Sequence, residues 1–296
     1  MRATQKAGDR WIGSGWWRSV RLIPAIVLCV FTPVLSLAAE SEDAYVWARQ
    51  NTLVAHANGN ASGITGTNSR EAFLQSYAHG LRVFEMDFNL SSDHRLVGVH
   101  DWQPATLAGL GLKLPSNVRL PLSHAAFKRL KLHGKLTPIG IEDVVHLLST
   151  HRNAYLITDT KIAKGPEVAE GFNLIVKACR QADPRVLDRI IPQIYNQPMY
   201  DTIRAIHPFK SIIYTLYNSR DTDPQVVEFV QKKGIQVVVL PPWRATPEFL
   251  KALGQAGVLT YVHTINQAEE LRAFQLRGVR GVYSDLLTPK MIAKTP

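Results

Sequence analysis

Between Leu53 and Asp285, short apolar runs of strand length alternate with longer stretches of helical periodicity. Leu53–Ala57 is the first strand, followed by a loop rich in Gly, Ser, Asn and Thr over 58–69. The pattern then predicts a helix from Arg70 to His79, with Asn68 or Ser69 as N-cap and Gly80 at its C-terminal end. A second strand runs from Val83 to Leu90. The turn Ser91-Ser92-Asp93-His94 leads to a short strand, Arg95–Val99, that delivers His100-Asp101. Residues 102–137 are irregular, with a short helix near 123–131, and 141–150 is helical. Strands are then predicted over 154–161, 190–195, 211–217, 236–240, 259–265 and 281–285, and helices over 166–182, 197–206, 224–233, 247–256 and 267–277. Eight strands, each followed by helical or irregular sequence in about 250 residues, predict an α/β fold, the TIM (β/α)8 barrel. A doubly wound sheet would need a Gly-rich loop after the first strand, and none is present. No internal linker interrupts residues 40–296, so they read as one domain with a polar lead-in over 40–52.

Residues 1–39 stand apart. Arg2, Lys6, Arg10, Arg18 and Arg21 precede an uncharged apolar run, Leu22–Leu37, and the small residues of Ser36-Leu37-Ala38-Ala39 follow. This is the layout of a secretory signal peptide, and it predicts an exported protein, periplasmic or secreted. The long basic region with Trp11, Trp16 and Trp17 keeps an uncleaved N-terminal membrane anchor as the competing expectation. Beyond residue 39 the chain holds 29 lysines and arginines against 23 acids. That excess suits an anionic substrate or association with a membrane surface. No basic helix with interleaved aromatics argues for nucleic acid. Cys179 is the one cysteine after the leader, which rules out an intramolecular disulfide there and suits a buried small hydrophobe. A monomer is expected.

The chemistry gathers at strand ends. Val83, Glu85 and Asp87 share one face of a strand, and Phe84, Met86 and Phe88 the other. Two carboxylates pointing the same way repel unless a cation lies between them, and hard cations such as magnesium and calcium prefer oxygen ligands. Alone, Glu85-x-Asp87 reads more readily as a solvated strand edge with salt-bridged acids. In a barrel, however, His56, Asp159, Lys161, His263 and Asp285 also end strands and face the same mouth.

His56, Thr67-Asn68-Ser69-Arg70-Glu71-Ala72-Phe73, Gly80, Glu85-x-Asp87, Ser92-Asp93 and His100-Asp101 follow an order and spacing that resembles the glycerophosphodiester phosphodiesterases. Asp159-Thr160-Lys161, Thr264-Ile265-Asn266 and Gly278–Asp285 extend the resemblance over essentially all of the chain after the leader. It is also similar to the related sphingomyelinase D and phosphatidylinositol-specific phospholipase C group of the PLC-like phosphodiesterase superfamily. The resemblance implies that His56 and His100 are the general acid and base. It implies that Glu85, Asp87 and Asp159 hold one divalent cation, calcium or magnesium, and that Lys161 contacts the phosphate. His263 and Asn266 are candidate substrate contacts. The chain departs from the family's His-Arg-Gly start, having His56-Ala57-Asn58-Gly59. Asp159 stands where Glu is usual, and His263 where Trp is usual.

The expectation is thus a metal-dependent hydrolase acting on glycerophosphodiesters or phospholipid head groups. Its rivals are a sphingomyelinase D- or phospholipase C-like lipase and a non-catalytic barrel binding phospholipid or glycan. Two histidines beside three acids favour catalysis, because a binder has little use for an acid/base pair. Trp243 and Tyr195 read as packing residues, and Asp101 as a group that orients His100 or caps the following loop.

Overall fold

The computed structural model describes residues 43–161 and 165–294. The leader read in residues 1–39 lies outside the described residues. Eight parallel strands close into a barrel: β1 (Leu53–Ala55), β2 (Val83–Asp87), β5 (Tyr155–Asp159), β6 (Ile190–Ile194), β7 (Ile213–Thr215), β8 (Val237–Leu240), β9 (Leu259–Val262) and β10 (Gly281–Ser284). Two short strands, β3 (Asn89–Leu90) and β4 (Leu96–Val97), form a separate antiparallel hairpin. Each barrel strand neighbours the next in sequence, and β1 closes the ring by pairing with both β10 and β2. This is the predicted (β/α)8 barrel, with a helix returning the chain between successive strands.

Alternation along the strands sorts side chains as the sequence suggests. Val54, Val83, Ile157, Ile191, Ile213, Val237, Val239, Tyr261 and Tyr283 form one buried cluster inside the barrel. Phe84, Met86 and Phe88 belong to the second cluster, between strands and helices. Helix starts are chemically marked. Ser69, Asn196 and Thr246 accept from the backbone N–H three residues on, and Thr222 and Gln225 form a capping box.

Two expectations are corrected. The lead-in over 40–52 is not merely polar, because Val46–Gln50 is a helix that plugs the N-terminal end of the barrel. Trp47 is 1% exposed and its Nε1 donates to Ser211 Oγ (3.1 Å), while Tyr45 Oη donates to Ile212 O (2.9 Å). The second strand also stops at Asp87. Phe88 N–H still donates to Asp159 O (2.7 Å), after which the chain leaves the barrel for the β3–β4 hairpin, whose turn holds His94 at φ +55°. Residues 102–137 carry two short helices, Pro104–Gly109 and His124–Lys128, around a small core in which Leu107, Phe127, Leu132 and Leu136 pack with Ala61, Ala72, Val97 and Val99. Among the described residues, no helix is long and apolar enough to cross a membrane.

Candidate active site

The strands end around a cavity of about 560 Å³, and His56, Glu85, His100, Asp159, Lys161 and His263 all line it. Parallel pairing of β2 with β5 sets Asp87 directly against Asp159. One carboxylate oxygen from each of Glu85, Asp87 and Asp159 lies within 4.8 Å of the others, and all three residues are buried. Local chemistry fixes each acid. The chain after β1 turns sharply at His56–Asn58, and Ala57 N–H donates to Glu85 Oε2 (2.9 Å). That turn needs Gly59 at φ +85°, where a Cβ would collide with Ser76. Asn68 Nδ2 donates to Asp87 Oδ2 (2.9 Å), and Asp87 N–H donates to Asn68 Oδ1 (3.0 Å). So Ser69 is the helix cap and Asn68 is a clamp on Asp87, which resolves the two candidates for the cap. Tyr195 Oη donates to Asp159.

Lys161 lies among these acids, its ammonium 2.6 Å from Asp159 Oδ2 and 2.8 Å from Asp87 Oδ1. Burial opposes its charge, but Asp159, Asp87 and Glu85 outweigh burial and hold it firmly protonated. Burial, reinforced by the charge of Asp87, pushes the Glu85 carboxyl up to about 8, and Glu85 Oε1 is buried without a partner. Burial also raises Asp159, whereas Asp87, although buried, is held low by Lys161 and Asn68. Three oxygen donors, one with an unused buried lone pair, suit a hard divalent cation.

Each predicted histidine has a carboxylate behind it. His56 Nδ1 is 2.8 Å from Asp285 Oδ1, and its Nε2 is 4.0 Å from Glu85 Oε2. Burial alone would lower His56; the Asp285 hydrogen bond and the charge of Glu85 more than reverse that, raising it to about 9. His100 Nδ1 is 2.8 Å from Asp101 Oδ2, and Asp101 Oδ1 accepts from Gln103 N–H (2.7 Å), so Asp101 both orients the ring and caps the loop. His263 differs. Burial and the nearby His56 and Lys161 lower it to about 4, which leaves a neutral ring whose Nε2 has no partner.

Asn266 is not at the cavity wall. Its Nδ2 donates to Asp285 Oδ2 (2.8 Å) and its Oδ1 accepts from Asp285 N–H (2.8 Å) and Ser284 Oγ (2.9 Å), so the amide is committed to positioning Asp285. Trp243 is not a packing residue: it is 75% exposed at the cavity rim, as is Tyr217 at 63%. Tyr195 packs, as expected, and also bonds Asp159. The partners Asn68, Tyr195 and Asp285 sit far from the acids and histidines in sequence, and periodicity alone carries no signal for such pairings.

The family model described as the glycerophosphoryl diester phosphodiesterase family matches residues 57–287. The chain belongs to this family. It is a phosphoric diester hydrolase of the PLC-like superfamily. Among solved structures, an Oleispira antarctica phosphodiesterase in complex with the product sn-glycerol-3-phosphate shares 17% identity and a TM-score of 0.67, over 84% of this chain and 97% of that one. A glycerophosphodiester phosphodiesterase from Parabacteroides distasonis is 18% identical, with a TM-score of 0.64 over 82% and 95%. Another from Thermotoga maritima is 20% identical, with a TM-score of 0.59 over 79% and 94%. At these identities the likeness is one of fold. No curated protein sequence matches the chain.

Proposed function

We propose that this barrel hydrolyses glycerophosphodiesters with the help of one divalent cation, and that His56 and His100 carry the proton transfers. The observation behind this reading is the grouping of three buried carboxylates within 4.8 Å, on the same cavity as two carboxylate-backed histidines. Glu85, Asp87 and Asp159 would hold the cation, which when bound polarises a phosphoryl oxygen and neutralises its charge. The sn-glycerol-3-phosphate bound by the Oleispira phosphodiesterase supports a diester of that chemistry as the substrate class.

The residues divide the remaining work. Lys161, at the cavity wall, adds positive charge for an anionic diester. His56, held protonated by Asp285 and Glu85, is the donor to the leaving alkoxide. His100 takes the proton of the attacking oxygen through Nε2, since Asp101 engages Nδ1. His263 is neutral and lines the cavity, where its ring is a candidate contact for the glycerol or head group. The position that would hold the family's arginine is Ala57, 1% exposed, so phosphate recognition rests more heavily on Lys161. The positive excess after residue 39 also supports association with anionic surfaces.

The test is hydrolysis of glycerophosphocholine, glycerophosphoethanolamine, glycerophosphoinositol and sphingomyelin with calcium, magnesium or EDTA. Release of glycerol phosphate that needs a metal, and that His56→Ala, His100→Ala and Glu85→Ala each abolish, is expected. Turnover unaffected by EDTA, or surviving both histidine substitutions, would overturn the assignment.

A further inference from the structure

The positive excess of the chain after residue 39 is confined to one stretch. Between Asp101 and Glu142 there is no acid, yet six cations occur there: Lys113, Arg119, Lys128, Arg129, Lys131 and Lys135. Residues 40–101 and 141–296 together balance, with 23 cations against 23 acids. Lys128 is neutralised by Asp143. Lys113, Arg119, Arg129, Lys131 and Lys135 are exposed, and none forms an ion pair among the described residues. Five uncompensated cations on a 39-residue subdomain repel one another, a cost that an anionic partner would relieve.

These cations sit on a fixed platform. Leu132 and Leu136 are buried in the subdomain's core and pair backbone to backbone, Leu132 N–H donating to Leu136 O (2.9 Å). That pinning turns Lys131, His133 and Lys135 outward on a tight loop, with His133 at φ +48° and Gly134 at φ +74°. The subdomain leaves and rejoins the barrel at its mouth end. It begins directly after His100, which lines the catalytic cavity, and returns where Gly98 N–H donates to Ile139 O (2.8 Å). The rim of the same cavity carries Tyr217 and Trp243, both well exposed.

We infer that this face of the barrel docks on an anionic phospholipid surface, with the five cations reading lipid phosphates and Trp243 and Tyr217 entering the head-group layer. Cations and exposed Trp and Tyr carried at the same end of the barrel, on different sides of its mouth, are the combination that an interface of anionic lipid favours, since the rings span the polar–apolar boundary while the charges meet the negative surface. None of the five cations lines the catalytic cavity, so they do not form a convergent pocket for a single free phosphate; a spread array matches a spread of charges. Nucleic acid fits less well. The subdomain's large aromatics are withdrawn, Phe127 being fully buried and Trp102 Nε1 donating to Leu90 O (2.8 Å), which leaves the His133 imidazole as the one exposed ring among the five cations, too little for a platform of stacked bases. Docking in this way would bring the catalytic mouth to the place where lipid-derived phosphodiesters are presented. The inference rests on the phosphodiesterase reading only in that last step.

The experiment is flotation of the full chain with phosphatidylcholine vesicles and with equimolar phosphatidylcholine/phosphatidylglycerol vesicles. The wild type is compared with the variant K113Q/R119Q/R129Q/K131Q/K135Q. Residues 1–42 are the same in both proteins, so the difference between them reports the subdomain. Wild type is expected to float with the anionic vesicles, to lose binding as salt is raised, and to bind neutral vesicles far less. At about tenfold or less per cation, the variant should bind anionic vesicles at least about 100-fold more weakly. It should also keep its melting temperature and its turnover of glycerophosphocholine. K131R/K135R should bind as wild type does. W243A/Y217A should weaken vesicle binding at a salt concentration where the cations are already screened. Equal binding by wild type and the glutamine variant, no preference for anionic vesicles, or tighter capture by a DNA duplex than by the anionic vesicles would overturn the inference. Vesicle binding without any diester hydrolysis would leave the docking intact and remove the catalytic reading instead.

Discussion

His56 is aimed by a residue 229 positions away. Asp285 holds its Nδ1, and Asn266 holds Asp285 through both ends of its amide, so the ring presents Nε2 to the cavity. Asp285→Asn keeps the size and loses the charge that favours the protonated ring. We predict a fall in kcat on the order of 10²–10⁴-fold with KM changed little, as for other histidines that lose a carboxylate partner. A rise in KM with kcat intact would mean that Asp285 contacts substrate rather than acting through His56. Cys179 gives a residue-scale prediction away from the site. It is fully buried on the helix Gly165–Ala182, and burial pushes its thiol up to about 12. The folded state therefore retains a proton that the unfolded chain releases near pH 9, so this group's contribution to stability is complete below that pH and declines as pH rises towards 12. Iodoacetamide at pH 8 should leave the Cys179 peptide unmodified in the folded chain and label it in denaturant, as read by peptide mass spectrometry. Labelling without denaturant would contradict the burial.

At the scale of elements, the barrel was readable because its strands obey period two and its helices carry marked starts. Alternation puts Glu85 and Asp87 on one face and Phe84, Met86 and Phe88 on the other, the barrel turns the first face inward, and the clusters agree. What escaped depends on contacts that no local pattern encodes. The helix Val46–Gln50 is too short to give a periodic signal, and only the open N-terminal end of the barrel explains why Tyr45 and Trp47 are buried. Trp243 looked like core because it is large and apolar, yet the turn Pro242–Arg244 carries it out to the rim. The end of β2 was missed for a similar reason: Asn89 and Leu90 remain extended but pair with β4 instead of the barrel. The plug helix predicts its own phenotype. Trp47→Ala removes a fully enclosed indole and its bond to Ser211, which should lower unfolding free energy by about 3–5 kcal/mol in a denaturant titration. Because the plug closes the end opposite the mouth, kcat below the melting temperature should stay within about twofold of wild type. A large loss of turnover without loss of stability would place the helix in the catalytic machinery.

For the whole molecule, the closed barrel sets the terms on which three carboxylates coexist. Neighbouring strands fix Asp87 against Asp159 and bring Glu85 within 4.8 Å, and a closed ring of eight strands cannot open locally to separate them. Lys161 answers Asp87 and Asp159, while Glu85 Oε1 remains buried without a partner. An arrangement built for folding alone would not leave that oxygen unsatisfied, so Glu85 reads as stability given up for a ligand. The consequence separates function from folding. Glu85→Gln removes a buried carboxyl whose ionisation burial and Asp87 penalise, and in EDTA near neutral pH the variant should be more stable than wild type, by on the order of 1–3 kcal/mol. Wild type should gain about 2.7 kcal/mol when calcium or magnesium is present at a hundred times its dissociation constant, whereas the glutamine variant should gain almost nothing. Thermal and denaturant melts with and without metal measure both effects without reference to turnover. If Glu85→Gln destabilises the metal-free protein and still responds fully to the cation, the acids are a structural network and the metal-site reading fails.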